Sequence, residues 1–431
     1  MRRRRVSTTA ADPPSKEGAQ FTASDATLSA SSVVAAAVAA LAALALALAL
    51  AHAALGRGAL TAHMVATFEA GGVVPSWLGR GGAHWDTHRA VDASSATVPR
   101  PALEADLAAL LRPQASKQYV LVVGESGTGK STAVRSALRS LPWPSGAVYF
   151  SYPALAPASF SAGLASACGY FRPFAPLASF YEWRGGQAAR VGGGSASGDA
   201  LWGELYTQLQ AAAAAYHAKH GRPAVLVLDA ADYAAKQQPA FFGSLLSFAK
   251  VCADGGALRV VLVCSEGAAL PLVRASASAW SRLLKPPYEV PDLPDAQAVQ
   301  YLVGRGLAQG EAEEAVRATT GGRLALLLDA AAGGAAALGE ELAVATGSAL
   351  RQLRLPPTHA FFARLLAAGR VRGDAALDLL PREALQGLLA AGVLALHPDA
   401  SYTVQARHVE TYLRRAAASA QAGEGPAALA G

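Results

Sequence analysis

Short apolar runs alternate with longer helical segments through the middle of the chain. Five runs have the length and the β-branched content of buried strands, at residues 119–123, 147–152, 224–228, 258–264 and 288–290. The segments between them have a helical pattern, most clearly at residues 130–141, 201–217 and 239–252. Strands separated by helices predict right-handed crossovers and a parallel sheet with both faces covered. We therefore expect a doubly wound α/β domain at residues 99–292.

The longest apolar run lies near the start of the chain. Residues 33–55 contain no charged side chain and are rich in Ala and Leu. A helix of this length, at about 1.5 Å per residue, is long enough to cross ~30 Å of hydrocarbon. The pattern predicts a single transmembrane helix at residues 32–55. Because alanine gains little on transfer into lipid, an Ala-rich soluble helix or part of a cleaved targeting sequence stays open as the alternative.

Three segments show no sustained apolar period. Residues 1–31 begin with an Arg-rich stretch and continue with small and polar residues, which predicts a disordered or targeting segment. Residues 56–98 are rich in Gly and are interpreted as a linker with a short helix near residues 60–68. Residues 416–431 are rich in Ala, Gly and Pro and predict a disordered tail.

Composition and charge narrow the classes of function. Hydrophobic residues make up 52% and charged residues 16%, which excludes intrinsic disorder as the main state. The net charge of +6 is spread along the chain rather than gathered in a tract that would bind nucleic acid. Cys168, Cys252 and Cys264 stand far apart, so the sequence offers no disulfide framework and no Cys-x-x-Cys metal site. We expect buried thiols in a reducing compartment.

The sequence GESGTGKST follows the first predicted strand and precedes a helix. Gly124, Gly129, Lys130 and Ser131 fit the phosphate-loop pattern GxxxxGK[ST]. Glycine lets the backbone approach a phosphate closely, and the helix directs its positive end at the same point. We expect Lys130 to act in catalysis at the β- and γ-phosphates of ATP, and the Ser131 hydroxyl to bind Mg²⁺. The predicted nucleotide-binding residues of the loop are Gly124, Glu125, Ser126, Gly127, Thr128, Gly129, Lys130, Ser131 and Thr132.

A second motif, AVLVLDAADY, places an acid at the carboxyl end of a buried strand. Asp229 ends this strand and is the predicted partner of Ser131 in holding Mg²⁺ beside the nucleotide. Water-activating enzymes of this broad class commonly carry Glu at the next position, which is Ala230 here. The nearest other acid is Asp232. Two roles stay open for Asp232: orientation of the attacking water in catalysis, or capping of the following helix.

A third strand, in LRVVLVCSEG, also ends in polar residues. Ser265 is predicted as a catalytic residue at the γ-phosphate or the attacking water, and it is also suited to capping the next helix, a role compatible with the first. Arg274 and Arg282 follow. Either is a candidate for neutralising charge on the phosphates, although a solvated surface position is the simpler interpretation.

Together these motifs resemble those of the AAA+ ATPases of the STAND and archaeal-ATPase branch, over roughly residues 98–413. GESGTGKST resembles the Walker A loop of that family, and LVLDAAD is similar to a Walker B form with a second acid three residues after the first. The resemblance implies that Val98 and Arg100 lie near the adenine of ATP and that Ser265 acts as a sensor. It thus adds Arg100 to the predicted nucleotide-binding residues.

The resemblance also implies a helical lid at residues 293–355. In TTGGRLALLL, Gly321, Gly322 and Arg323 fall at the turn where such a lid faces the nucleotide. Contact with phosphate and a surface position at the start of a helix both stay open for Arg323. A lid that closes over the nucleotide would exclude water and convert nucleotide state into domain rotation.

Residues 356–415 follow the pattern of three helices, two short strands and a closing helix, which looks like a winged helix. Such modules often bind DNA, which requires several cations on one face. The candidate third helix, PREALQGLLAAG, offers Arg382 alone as a cation, beside Glu383. We therefore favour an intramolecular or protein-interaction role over nucleic-acid binding.

The leading hypothesis is a membrane-tethered, Mg²⁺-dependent ATP-binding protein that hydrolyses ATP to drive domain rearrangement. The alternatives are a nucleotide-gated binding scaffold with little or no hydrolysis, and a DNA-associated ATPase that uses the winged helix. A protein partner or self-association fits the leading hypothesis. With one predicted transmembrane helix, we expect a single-pass membrane protein. Because the ATPase domain must face ATP, this domain should lie in the cytosol or an organelle matrix. Removal of a transit peptide would instead give a soluble organelle protein.

Overall fold

The computed structural model describes residues 34–35, 38–44, 56, 58–71, 98–112, 116–142, 144–151, 157–170, 198–264 and 269–422. The chain divides into two units, Met1–Arg57 and Gly58–Gly431. In the first unit, the described residues are helical. Across the described parts of the chain, no helix combines the length and the apolar character needed to cross a membrane. Most of the transmembrane segment predicted at residues 32–55 lies outside the described residues.

Five parallel strands form the central sheet of the second unit, in the spatial order β2-β3-β4-β1-β5. The strands are β1 Val120–Val123, β2 Ala147–Ser151, β3 Ala224–Asp229, β4 Leu258–Val263 and β5 Tyr288–Glu289. Because β4 lies between β1 and β3, the segments that follow these two strands leave the same edge of the sheet, one strand apart. The predicted parallel α/β sheet is confirmed.

Helices cover both faces of this sheet, as its continuous apolar strands require. On one face Leu226 packs in a cluster with Phe242, and on the other Val227 packs in a cluster with Val134. Successive strand residues therefore point into different cores. The helices of this part are α1 at residues 58–70, α2 Pro101–Leu111, α3 Lys130–Arg139, α4 Pro157–Ala167, α5 Gly198–His220, α6 Asp232–Gln237, α7 Pro239–Gly255, α8 Ala269–Ala275 and α9 Ala277–Trp280.

Helix α1 belongs to the core of the sheet, although the sequence suggests a linker at residues 56–98. Leu60, Met64 and Phe68 are at most 1% exposed and recur every four residues, so they form one buried face of the helix. Burial of each such side chain stabilises the fold by about 1.5–3 kcal/mol. The helix is thus a packed element of the second unit. Residues 72–97 lie outside the described residues.

After β5 the chain forms a cluster of helices with a core of its own. Leu302 and Leu327 are fully buried at its centre, and Leu293 joins them from the connection that follows β5. The helices are α10 Asp295–Gly304, α11 Gln309–Ala315, a π-helical turn Val316–Thr320, α12 Leu324–Gly333 and α13 Ala335–Gln352. This cluster covers the segment predicted to form a helical lid.

The last part combines a three-stranded antiparallel sheet, in the order β6-β8-β7, with four helices. Its core is centred on Phe361, Phe362 and Leu413. Strand β6 is not visible in the sequence because its two residues are too few to show a period. The strands are β6 Val371–Arg372, β7 Leu394–Leu396 and β8 Ser401–Val404, and the helices are α14 Ala360–Ala368, α15 Gly373–Leu377, α16 Arg382–Ala390 and α17 Arg407–Gln421.

Candidate nucleotide-binding site

The loop between β1 and α3 has the backbone conformation of an anion-binding turn. Gly127 and Gly129 have φ values of 83° and 85°, which side-chain-bearing residues rarely adopt. A Cβ atom on Gly127 would lie 2.7 Å from the Cβ atom of Ala325, and one on Gly129 would lie 2.7 Å from Cδ1 of Leu324. Glycine is therefore required both by the turn and by the approach of α12. The helix that follows, α3, begins at Lys130, so its positive end faces the loop.

Lys130 lies in a buried position beneath this loop. Its Nζ donates a hydrogen bond to the carbonyl oxygen of Glu125 at 2.5 Å and lies 3.4 Å from Oγ1 of Thr128. Burial lowers the pKa of Lys130, and the nearby carboxylates of Glu125, Asp229 and Asp232 oppose this effect in part. A bound triphosphate would add negative charge beside Lys130 and favour its ammonium form.

Asp229, the last residue of β3, is 1% exposed and fixed by two hydrogen bonds. Its Oδ1 accepts from the backbone N–H of Ala230 at 2.7 Å, and its Oδ2 accepts from the hydroxyl of Tyr149 at 2.5 Å. Lys130 and Asp229, which the sequence predicts to act on the same nucleotide, thus lie close together, since their charges interact. Tyr149 is a further residue at this site, and no sequence pattern indicates it.

The site suits a hard cation that is shared with a nucleotide. A buried carboxylate at the end of β3 faces the loop in which Ser131, partly buried, is the second residue of α3. Oxygen ligands of this kind are those that Mg²⁺ prefers, usually with phosphate oxygens and water completing its shell. Within the described residues there is no group of three or more His, Cys, Asp or Glu side chains that could hold a metal by itself. The residues present therefore fit Mg²⁺ bound together with ATP.

The position after Asp229 has an unusual backbone. Ala230 has φ of 56°, in the left-handed region that costs a non-glycine residue about 1–2 kcal/mol. A glutamate there would adopt the same strained conformation. The second acid stands instead at Asp232, the first residue of α6, where it is 4% exposed and lies close to Lys130. The N-cap of α6 is Ala231, so Asp232 is not the helix cap that the sequence left open.

The end of β4 reaches the same site. Cys264 follows this strand, is fully buried, and interacts electrostatically with Asp232, Asp229 and Lys130. Burial raises the pKa of its thiol well above the usual value. The predicted catalytic residue Ser265 comes next in the chain and lies outside the described residues. All three cysteines are free and buried, as the sequence predicts.

Arg100, predicted to lie near the adenine, contacts the loop directly. Its Nη1 donates to the carbonyl oxygen of Thr128 at 3.1 Å, and its Nη2 donates to that of Pro291 at 2.8 Å. Burial lowers the pKa of Arg100. Val98 packs against the core of the lid helices. The segment before α2 thus connects the loop, the end of β5 and the lid.

Arg323 contacts three parts of the molecule at once and is 5% exposed. Its Nε and Nη2 donate to the two carboxylate oxygens of Asp292 at 2.7 and 3.1 Å. Its Nη1 donates to the carbonyl oxygen of Ser126 in the loop at 3.0 Å, and its Nη2 donates to that of Gln405 at 2.7 Å. The surface position left open by the sequence is therefore wrong. The guanidinium group lies at the phosphate loop.

The lid helix α12 sits directly over the loop. The backbone N–H of Ala325 donates to the carbonyl oxygen of Gly127 at 3.1 Å. Because Leu324 and Ala325 also come within contact distance of the loop glycines, a change in loop conformation would displace the start of α12. The loop and α12 are therefore linked both by a hydrogen bond and by close packing.

The C-terminal part contacts the sheet domain near the same edge. Nδ1 of His397, in the β7–β8 turn, lies 2.5 Å from Oε1 of Glu289 at the end of β5. Arg274 donates to the carbonyl oxygen of Pro398 and stacks over Trp280, while Arg282 pairs with Asp254 on the surface. The side chain of Glu125 hydrogen-bonds Gln405. Neither arginine proposed near the phosphates is directed at the loop by these contacts.

Comparison with known proteins supports part of the sequence-based prediction. Residues 98–261 match the family model described as AAA ATPase domain. That match confirms an AAA ATPase domain in this segment, which contains the loop and Asp229. It does not distinguish the STAND and archaeal-ATPase branch, which stays a prediction. Among curated proteins there is no significant match.

Several solved structures are similar to the chain at low sequence identity. A Walker-type ATPase of Pyrococcus abyssi is 17% identical, with a TM-score of 0.44, covering 74% of this chain and 96% of its own. Cdc6p of Pyrobaculum aerophilum is 13% identical, with a TM-score of 0.38, covering 78% and 98%. The ORC1 protein of Aeropyrum pernix, solved in complex with DNA, is 14% identical, with a TM-score of 0.37, covering 75% and 94%.

Proposed function

We propose that this protein is a Mg²⁺-dependent ATPase of the STAND and archaeal-ATPase branch, in which nucleotide state controls the contact between sheet domain, lid and C-terminal winged-helix-like part. The observation that carries the proposal is the set of hydrogen bonds made by Arg323. One guanidinium group joins the phosphate loop, the connection after β5 and the C-terminal part. Phosphate charge at the loop would compete with Asp292 for this group, because phosphate and carboxylate are both preferred partners of arginine.

The phosphate loop, Lys130, Ser131, Asp229 and Asp232 each have a part in this chemistry. The backbone N–H groups of the loop and the positive end of α3 bind the phosphates, and Lys130 neutralises charge as the bond to the γ-phosphate breaks. Asp229 and Ser131 would hold Mg²⁺, whose positive charge would offset the negative charge of the nucleotide phosphates. Asp232 orients the water that attacks the γ-phosphate, so that ADP and inorganic phosphate form. Closure of the lid excludes other water.

Position 230 supports a second candidate, a nucleotide-gated scaffold that binds ATP with little or no hydrolysis. The glutamate that is common at this position is replaced by Ala230, whose left-handed backbone is strained for any residue other than glycine. Hydrolysis would then depend on Asp232 alone. In this alternative, ATP binding still rearranges Arg323, but the protein returns to its first state by releasing ATP.

Binding and phosphate-release measurements on the full-length protein test these proposals. ATP affinity is measured by calorimetry for wild type, Lys130→Ala and Asp229→Ala, and phosphate release is measured for wild type and Asp232→Asn. Loss of the Lys130 ammonium should weaken ATP binding by about 10–100-fold, since hydrogen bonds to charged groups contribute about 1.5–3 kcal/mol. Lys219→Ala, which removes an exposed partner of Glu69, is the matched control. Unchanged ATP affinity in Lys130→Ala overturns the site, and ATP binding without phosphate release favours the scaffold.

Membrane attachment through residues 32–55 remains part of the proposal. The length and apolar character of this segment support it. Alkaline carbonate extraction of the full chain, compared with a chain lacking residues 32–55, gives a direct answer. We expect the full chain to stay with the membrane fraction and the shortened chain to be extracted. Extraction of both chains contradicts the attachment.

A further inference from the structure

We propose that Tyr149 is a positioning residue for Asp229, and that its hydroxyl sets the Mg²⁺ requirement of nucleotide binding. This inference rests on the proposed function, because it assigns Asp229 to the cation. Tyr149 lies in the middle of β2, next to the strand that ends in Asp229. Its hydroxyl donates to Oδ2 of Asp229 at 2.5 Å.

The ring of Tyr149 packs in the core, whereas its hydroxyl contacts Asp229. The ring of Tyr149 is 5% exposed and packs in the same apolar cluster as Val225 and Val227, so a phenylalanine would fill the same space. Beyond the ring, the hydroxyl reaches Asp229 and is itself hydrogen-bonded by Ser151, which pairs with Asp229 across β2 and β3. In this pair the hydroxyl is the donor, because the carboxylate oxygen can only accept.

The two hydrogen bonds on Asp229 fix the plane of its carboxylate. Ala230 donates to one oxygen and Tyr149 to the other, and each oxygen keeps a further lone pair for an additional ligand. Without Tyr149, the bond from the adjacent Ala230 would be the one side-chain restraint left on Asp229 among the described residues, and the carboxylate could rotate away from the cation position. Groups that orient the ligands of a metal affect its affinity in this way, typically by 10–100-fold.

Arg135 contributes a further restraint on the ring. Its guanidinium lies 6.0 Å from the ring centroid of Tyr149, and its Nε donates to the carbonyl oxygen of Ser131 at 3.1 Å. Arg135 therefore connects the ring of Tyr149 to the first turn of α3, where Ser131 is the other proposed ligand of Mg²⁺. The two proposed ligands are thus held relative to one another through Tyr149.

The experiment uses the full-length protein and measures binding rather than turnover. A fluorescent ATP analogue is titrated in EDTA and then at increasing MgCl₂, for wild type and Tyr149→Phe. In EDTA we expect Tyr149→Phe to bind the ATP analogue with wild-type affinity. The Mg²⁺ concentration that gives half of the full gain in affinity should be higher in Tyr149→Phe than in wild type, on the order of ten-fold. Tyr170→Phe is the matched control, because it removes the hydroxyl of another buried tyrosine, one that donates to Oε2 of Glu204 at 2.9 Å rather than to a residue of the site.

A second variant separates positioning from damage to the fold. Ser151→Ala should raise the Mg²⁺ requirement by less than Tyr149→Phe, and should add nothing in the double variant, since it acts through the same hydroxyl. If Tyr149→Phe does not fold, the Mg²⁺ requirement of Ser151→Ala decides: an increase over wild type supports the inference, and the wild-type value overturns it. A wild-type Mg²⁺ requirement in a folded Tyr149→Phe chain overturns the inference and leaves ATP binding intact. A wild-type chain that binds no nucleotide overturns the proposed function and this inference with it.

Discussion

Arg323 and Asp292 form a two-point ion pair, with donor–acceptor distances of 2.7 and 3.1 Å, at the junction of the loop and the lid. The side chain of Arg323 is 6% exposed, whereas that of Asp292 is 37% exposed. The arginine is thus enclosed, and its charge is balanced by a carboxylate that water can reach. Under the proposed function, phosphate at the loop competes with Asp292 for Arg323, whose Nη1 lies 3.0 Å from the carbonyl oxygen of Ser126.

Neutralising Asp292 should therefore strengthen ATP binding. Asp292→Asn keeps the size of the side chain but removes the charge that competes with phosphate for Arg323. We expect ATP affinity to rise about five-fold, on the order of 1 kcal/mol. Calorimetry measures the change. Asp254→Asn, which removes the charged partner of Arg282 on the surface, is the control and should leave ATP affinity unchanged. Equal or weaker binding in Asp292→Asn would show that the pair has only a structural role.

A methyl group at Gly127 should separate the lid from the loop. Gly127→Ala combines a left-handed backbone with a Cβ contact of 2.7 Å to Ala325, so both strain and collision act. Gly221→Ala is the matched control, because Gly221 has φ of 68° and open space around its Cβ position. The control should lose about 1–2 kcal/mol of stability from the backbone alone.

For Gly127→Ala we expect a larger loss of stability than for the control, together with weaker ATP binding. Urea unfolding of both variants gives the free energies, and calorimetry gives the ATP affinity. Equal losses in the two variants, with wild-type ATP affinity in Gly127→Ala, would contradict the close packing of α12 on the loop.

The sequence could predict the local parts of this site because each depends on neighbouring residues. The loop pattern fixes Gly124–Ser131 within one turn, and a continuous apolar strand places Asp229 at the end of β3. The positions of the strands and of the main helices follow from the alternation of short apolar runs with helical segments, whereas the spatial order of the strands comes from the structure alone. The local features need no knowledge of how distant parts of the chain meet.

Several side-chain contacts between distant residues have no local sequence pattern that would predict them. Tyr149 and Asp229 are 80 positions apart, and Arg323 is separated by 197 positions from Ser126 and by 82 from Gln405. A tyrosine in an apolar strand carries no signal that its hydroxyl reaches a carboxylate. The GGR turn before an apolar helix did indicate Arg323, but a surface role fitted the same letters. Tertiary packing decides between these interpretations.

Acid should destabilise the fold through His408. Burial lowers the pKa of His408 to about 4, and the nearby charge of Arg323 adds to this effect. The unfolded chain has an ordinary histidine pKa of 6.5, so it binds more protons than the folded chain between these two values. The stability present above pH 6.5 is therefore lost as the pH falls towards 4, by about 2–3 kcal/mol in total.

The free energy of unfolding in urea is measured at pH 7 and at pH 4.5 for wild type and for His408→Gln. The contribution of His408 is the difference between the two chains in the stability that they lose between these pH values. We expect the variant to lose less stability over this range. His63, whose pKa is also lowered by burial, acts in the same direction in both chains and cancels in the difference. His217→Gln, at an exposed position on α5, is the control. Equal acid sensitivity in wild type and His408→Gln would remove His408 as the cause.

The strained backbone at Ala230 gives the last prediction. Ala230→Gly should stabilise the fold by about 1 kcal/mol, because glycine adopts φ of 56° without the Cβ penalty. Ala230→Glu restores the acid that is usual at this position but keeps the left-handed backbone. We expect it to gain no phosphate release over wild type, whereas Asp232→Asn should lose release without losing ATP binding. The roles assigned to these two positions would be reversed by two results together: faster phosphate release than wild type in the Ala230→Glu variant, and wild-type phosphate release in the Asp232→Asn variant.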